Sequence, residues 1–395
     1  MKELLASKIK ELFWNIGIEI RRVKDKKPII ENVFKNDCKK KVLISYLKDP
    51  FIKGIDYKHT NLLECFTIAE IFNDLGFQVD VISLDSTYKV NYCNYDVICG
   101  QGRIYENSFN NDCRIKRIYY STGSSFFYSE INTAKKVRDF YEKTKILATS
   151  SGRFFNHTVT KSIFLSDKVI VLGNNTVLDT FVNLDGNAAN RYENLNAFYF
   201  DVCNIDLNKK NFYISKKHFL WFGSSGFLHK GLDLLIDIFS KRNDYFLHIC
   251  GIETVYEAKV LNYYKPIITS SKNIFNHGFV NIDSSDFKNL MLTCSFVIFP
   301  SISEGGAVSV LNVVANGGLI PIVTKSVGLD VDEFGYIVDD SIFSINNLLD
   351  NINELSEQDI FELSIKAKTL VREHYTYDKY KTNLKSILSS CFDFK

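Results

Sequence analysis

Residues 296–324, FVIFPSISEGGAVSVLNVVANGGLIPIVT, place the tightest limit on what this chain can fold into. Phe296–Phe299 is a short apolar run stopped by Pro300, the pattern of a strand buried on both faces. Residues 301–306 follow as a polar loop with glycines. Aliphatics at Val310, Leu311, Val313 and Val314 then mark a helix, and Asn316-Gly317-Gly318 stops it with glycine available for a left-handed cap. Residues 319–323 read as the next buried strand. A strand, loop, helix and strand in this order require a layered α/β sheet.

The loop delivers Ser303, Glu304, Gly305 and Gly306 to a helix N-terminus. Such an end presents unpaired backbone N–H groups and a partial positive charge, and glycines let a phosphate approach the backbone closely. A carboxylate beside a diphosphate would repel it, so Glu304 fits better as an acceptor of hydrogen bonds from hydroxyl groups. Together these features suggest a ligand carrying both phosphate and sugar. Asn312 lies roughly 12 Å further on, at ~1.5 Å per helical residue, so one helix could touch two parts of an elongated ligand. The plainer alternative, in which Glu304 caps a helix and the glycines only turn the chain, stays open on this segment alone.

A chain of 395 residues exceeds one ordinary core, and two domains are expected. Its net charge of +2, with no basic tract interleaved with aromatics, gives no sign of a nucleic-acid partner. Nine cysteines, an odd number without paired spacing, fit free or buried thiols in a reducing cytosol better than a disulfide framework. Neither CxxC nor HExxH is present, so no metal and no cofactor are expected. No apolar run reaches the ~18 residues needed to span a bilayer.

Residues 2–24 form an amphipathic helix candidate, with Leu5, Ile9, Leu12, Phe13 and Ile16 on one stripe and lysines off it. The pattern suits an anionic membrane interface, and equally a helix packed on protein. Residues 26–41 read as a linker. KVLISY (41–46) is a buried strand, followed by a long loop over 47–57, His59-Thr60-Asn61, a helix over 62–75 and a strand over 78–83. This βαβ unit lacks the GxGxxG fingerprint of a dinucleotide site. His59 stands where an open α/β sheet places ligands, although capping or packing would equally explain a lone histidine. Strands over 96–99 and 117–120 end in polar, glycine-bearing turns, the second containing Thr122 and Gly123. A helix over 130–141 and a strand over 168–172 complete a first domain near residue 200.

Residues 186–217 are poor in aliphatics, which places the boundary at about 205–217. HFLWFG opens the second domain, followed by Ser224-Ser225-Gly226, then His229-Lys230-Gly231 and a helix over 232–241. Lys230 can put an ammonium on a diphosphate; as a lone feature it would read as a solvated lysine. A strand over 245–250 ends at Gly251, a strand over 275–280 and a helix over 287–294 precede the opening motif, and helices run to the end.

Over about 219–388 this chain resembles the family-4 glycosyltransferases, retaining enzymes of the GT-B fold. The resemblance is carried by FLWFGSSGFLHKGLDLLIDIF, NIFNHGFV and the segment from Phe296 to Asp330, in the right order and spacing, and is closest to a bacterial subgroup. It implies two Rossmann-like doubly wound domains facing across a cleft: 40–205 for the acceptor and 217–375 for the donor. An N-terminal amphipathic helix (1–28) and a C-terminal helix (376–395) able to pack back on the first domain complete the chain. The second domain would bind a nucleotide-sugar, with Lys230 on the diphosphate, Glu304 on the sugar, and the amides of Gly305, Gly306 and Ala307 on sugar or phosphate. Gly223, Ser224, Ser225, Gly226, Gly251, Ser303 and Val308 complete the donor site. His59, Asn61, Thr122 and Gly123 would face the acceptor, with His59 grouped with Lys230 and Glu304 as catalytic. Two departures stand out. Asn312 replaces the second glutamate of the E-x7-E pair, and the arginine often found shortly before the lysine is missing, with Ser224, Ser225 and Gly226 in that stretch.

The resemblance implies transfer of a hexose-like sugar onto a cell-surface glycan or lipid-linked acceptor of capsule, O-antigen or lipopolysaccharide type. The protein would be cytoplasmic, touching the inner membrane through residues 2–24. Two alternatives remain: a GT-B UDP-sugar 2-epimerase, and a non-catalytic nucleotide-sugar-binding or scaffold subunit of a glycan assembly complex.

Overall fold

A computed structural model describes residues 28–392, apart from 57–58, 155–158, 187–188 and 253–256. The amphipathic segment 2–24, with its expected membrane contact, therefore lies outside the described residues.

Continuous apolar runs become the central strands of two sheets. The first sheet contains β1 (Ile29–Ile30), β2 (Lys40–Tyr46), β3 (Phe77–Ser83), β4 (Val97–Gly100), β5 (Lys116–Ser121), β6 (Lys168–Leu172) and β7 (Tyr192–Leu195). Their spatial order is β1-β3-β2-β4-β5-β6-β7, parallel throughout except for β1. Val42, Leu43 and Ile44 of β2 are fully buried because helices cover both faces. The second sheet contains β8 (His218–Phe222), β9 (Phe246–Cys250), β10 (Ile274–Asn276), β11 (Phe296–Phe299), β12 (Ile320–Val323) and β13 (Tyr336–Ile337). Its order is β10-β9-β8-β11-β12-β13, all parallel.

In each sheet the winding reverses beside the first parallel strand, between β2 and β4 and between β8 and β11. Open sheets of this kind bind ligands outside the carboxyl ends of the strands at that reversal. The sheets turn these ends toward each other: Leu172, Phe222, Cys250 and Phe299, the last residues of β6, β8, β9 and β11, all line one cleft.

The chain crosses between the halves twice. The first crossing, near residues 199–203, is fastened to helix Val308–Gly317 by Asn316. This fully buried side chain accepts from the Val202 and Cys203 amides and donates to the Phe200 and Asn312 carbonyls. After helix Glu357–His374 the chain returns, and helix Tyr377–Ser390 lies against helix Thr60–Asp74. Lys381–Glu70 (2.7 Å), Lys385–Asp74 (2.9 Å) and a Tyr377–Thr67 hydroxyl contact (2.8 Å) join them.

Several local expectations are corrected. The stretch read as a loop over 47–57 contains a helix, Asp49–Lys53, with Pro50 in its first turn, where a missing N–H costs nothing. The linker over 26–41 contributes β1. The strand expected over 275–280 ends at Asn276, because Gly278 takes a φ of 65° that no strand adopts. Against the expectation of free thiols throughout, Cys93 and Cys113 form a disulfide, and the other seven are free. These two residues lie a few positions ahead of the paired strands β4 and β5, with their Cα atoms 5.2 Å apart. Among the described residues no helix is long and apolar enough to cross a membrane.

Candidate functional site

The cleft between the two sheets encloses about 430 Å³. Of the residues expected on the donor side, Gly223, Ser224, Ser225, Lys230 and Gly251 line it from the β8 and β9 ends. Glu304, Gly305, Ala307, Val308 and Asn312 line it from the loop and helix after β11. From the opposite half come His59, Asn61 and Thr122. Gly123, Gly226, Ser303 and Gly306 do not line the cleft, and each has a different position.

The mouth of helix Val308–Gly317 is only partly open for a ligand. The Glu304 amide donates to Ser326 O and the Gly306 amide to Val327 O. Gly306 therefore does not offer its N–H, contrary to expectation. The amides of Gly305, Ala307, Val308 and Ser309 donate to no protein acceptor among the described residues, and all four residues face the cleft. Ala307 is held at a φ of 25°, a conformation unusual for a residue with a Cβ, which turns the chain sharply into the helix.

Lys230 is buried, with its ammonium 3.1 Å from Ser224 Oγ. Burial first, and then repulsion from Arg153, bring its pKa down to about 8 against the pull of Glu304 and Glu257. Its backbone is fixed by Trp221, whose indole N–H donates to Lys230 O at 3.2 Å. Glu257 accepts the amides of Gly226 and Phe227, so the Gly226 N–H is also already engaged.

Glu304 accepts from Ser301 Oγ at 3.2 Å and Arg153 at 3.3 Å. Burial favours its neutral form, but Arg153, Lys230 and His229 outweigh this and hold the carboxyl below its ordinary range. His229 ties the loop after β8 to the loop after β11. Ser303 O can only accept, so His229 Nε2 carries the proton donated to it, while Nδ1 lies 3.3 Å from the Thr133 hydroxyl of the other half. Burial lowers the pKa of this imidazole to about 4, which keeps it neutral. Ser303 thus serves the site through its backbone.

Asn312 has a divided role. Its Oδ1 accepts the Phe200 amide of the crossover at 2.8 Å, so this side chain both lines the cleft and holds the crossing.

The two halves touch at the cleft lip. A Cβ added to Gly305 would sit 2.2 Å from Thr122 O, so only glycine permits this approach. Gly123 lies beneath, against the Glu304 backbone. Tyr128 and Ser326 hydroxyls meet at 2.7 Å, and Asn174 donates to Asp330 at 2.7 Å. His59 begins helix Thr60–Asp74 without capping it through its side chain. Partial burial, then Lys230, lower its pKa, so the imidazole is neutral near pH 7. Behind it Glu64 receives the Tyr46 and Tyr120 hydroxyls at 3.0 and 3.2 Å, forming the cleft floor.

Two contributors escaped sequence reasoning. Arg153 sits in a stretch without local pattern. The loop after β10, from Phe279 to Ile282, lines the cleft beside Gly251, and the quoted segment NIFNHGFV was the signal available for it.

Residues 205–370 match the model of the family described as glycosyl transferases group 1, so this stretch carries a domain of that kind. No curated protein matches the sequence. Among solved structures, the chain is similar to sucrose-phosphate synthase from Thermosynechococcus elongatus (TM-score 0.60, 11% identity, covering 89% of this chain and 98% of that one). It is also similar to Anabaena HepE in complex with UDP and glucose (TM-score 0.58, 14% identity, 89% and 99%). A third is the apo form of the lipopolysaccharide outer core galactosyltransferase WaaB (TM-score 0.51, 11% identity, 89% and 100%). Likeness at these identities shows the fold: the chain has the GT-B fold, and residues 205–370 are the stretch that matches the glycosyltransferase group 1 model.

Proposed function

We propose that the protein is a retaining glycosyltransferase of family-4 type, moving a hexose-like sugar from a nucleotide-sugar donor to a hydroxyl of a cell-surface glycan or lipid-linked acceptor. The observation that carries this reading is the convergence, in one interdomain cleft, of the Lys230 ammonium, the unengaged amides of residues 305 and 307–309, and the Glu304 carboxylate. The first two suit a diphosphate, and the third suits sugar hydroxyls.

Departure of the diphosphate builds negative charge on its oxygens. Fixed N–H dipoles and an ammonium aimed at that charge stabilise it without having to reorient during the reaction. The bond from the sugar's anomeric carbon to the diphosphate breaks, and the acceptor oxygen bonds to that carbon from the same face. The acceptor's proton passes to a departing phosphate oxygen. The reading calls on no metal. Phe279 offers an exposed ring face to a nucleobase, while His59, Asn61 and Thr122 offer polar groups to the acceptor.

The UDP and glucose in HepE support a nucleotide-sugar donor, and WaaB supports an acceptor of lipopolysaccharide type. Residues 2–24 would bring the protein to an anionic membrane surface where such acceptors lie.

The test is a panel of nucleotide-sugars, with and without glycan acceptors, read by release of nucleoside diphosphate. Release by the wild type and its loss in Lys230→Ala are expected. Binding without release would select the non-catalytic subunit, and conversion of a UDP-sugar without acceptor would select the 2-epimerase. No binding and no release would end all three readings.

A further inference from the structure

The turn Thr149–Ser151 is followed by a loop that carries one side chain from the first half of the molecule into the cleft. Arg153 places Nη1 3.3 Å from Glu304 Oε1 and Nη2 3.4 Å from the Ser225 carbonyl. Both separations exceed the roughly 2.7–2.9 Å usual for a charge-assisted hydrogen bond. The guanidinium lies over the bare Cα of Gly226, where φ is 105° and an added Cβ would come within 3.2 Å of Arg153 Nε. The second half thus leaves a seat for this side chain in the stretch just before Lys230, which carries no arginine of its own.

Arg153 and Lys230 are close enough to repel each other, and both face the cleft. Glu304 lies between them in influence, lowered in pKa by each. The other acid near Lys230, Glu257, is turned to the amides of Gly226 and Phe227. Two mutually repelling cations, offset by Glu304 and Glu257, thus stand beside four amides that donate to no protein acceptor among the described residues.

We propose that Arg153 is a ligand of the donor's diphosphate, supplied across the cleft by the first half. In this arrangement its contact with Glu304 is exchanged for phosphate oxygens when the donor enters. The inference rests on the nucleotide-sugar reading above. A guanidinium presents a planar fork that matches two phosphate oxygens, whereas a lysine acts as a point charge. The exchange also frees Glu304 to accept from the sugar hydroxyls. Because the arginine and the lysine belong to opposite halves, a bound diphosphate draws the halves together.

Isothermal titration of the full-length protein with UDP, GDP and ADP, and with their monophosphates, tests this. For whichever base binds, Arg153→Ala is expected to weaken the diphosphate about 10- to 100-fold, the size of one charge-assisted contact, and the monophosphate far less. Arg153→Lys should recover part of the loss. Glu304→Gln should bind the diphosphate at least as tightly as the wild type, because its competitor for Arg153 has lost its charge. Equal weakening of mono- and diphosphate, or none, would overturn the proposal and leave Arg153 as a tie between the halves. Diphosphate binding that is lost in Lys230→Ala but indifferent to Arg153 would remove this inference alone. A wild type that binds no nucleotide would remove the nucleotide-sugar reading as well.

Discussion

Nucleoside diphosphate affinity should fall as pH rises from 7 to 8.5, and Lys230 sets the size of the fall. In the free protein its pKa is about 8, from burial and then from Arg153. At pH 7 about nine-tenths of the sites carry the charge, and at pH 8.5 about a quarter. A bound diphosphate places negative charge beside the ammonium and raises its pKa by about 2 units or more, so the bound state stays charged across this range. Apparent affinity therefore drops about fourfold, or ~0.8 kcal/mol, with uptake of about three-quarters of a proton per site at pH 8.5.

The ligand's phosphates, with a second pKa near ~6, do not change across this window. Neither does Glu304, whose pKa lies below its ordinary value. Folding stability moves the other way. The unfolded lysine keeps its proton to about 10.4, so the free fold is penalised below about 8 and recovers as pH climbs between these values. Calorimetry in two buffers of different ionisation enthalpy measures both affinity and proton uptake. Lys230→Arg, charged throughout, should flatten the profile. A flat wild-type profile without proton uptake, or an unchanged slope in Lys230→Arg, would refute the reasoning.

Three further outcomes are expected. Glu304→Gln should lower sugar transfer about 100-fold or more while the protein still binds the nucleoside diphosphate, checked by initial rates beside calorimetry. Gly305→Val places a side chain where even a Cβ would lie 2.2 Å from Thr122 O, so the halves must part; a larger radius of gyration by small-angle scattering and loss of turnover are expected. Asn316→Ala strands the Val202 and Cys203 amides and the Phe200 carbonyl, and should cost about 2–4 kcal/mol in denaturant unfolding.

Much of the fold was legible because centrally placed parallel strands are buried on both faces and read as unbroken apolar runs. FVIF, HFLWF and KVIVL became β11, β8 and β6 with little adjustment of their ends. Edge strands carry no such signal: YENL and the two residues of β1 are short or polar, and only pairing with a neighbour defines them. Lys230 and Glu304 were conspicuous because each adjoins glycine in a local pattern. The cysteine pair could have been found from its spacing, about one strand-to-strand repeat, had the register been known.

Arg153 could not be read locally, since its importance depends on a loop of one half meeting Gly226 and Glu304 of the other. The sequence also left open which amides a ligand could use. Gly226 and Gly306 resemble their neighbours on paper, yet their N–H groups are taken by Glu257 and Val327. Asn312 is similar, its oxygen held by a residue more than a hundred positions away.

The central claim is tested most directly by a crystal structure of the protein soaked with the nucleotide-sugar it binds best. The account predicts the diphosphate against Lys230 and the amides of residues 305 and 307–309, with Glu304 within hydrogen-bond distance of a sugar hydroxyl. A donor bound elsewhere, or seated in the cleft with its phosphates turned away from those amides, would contradict it.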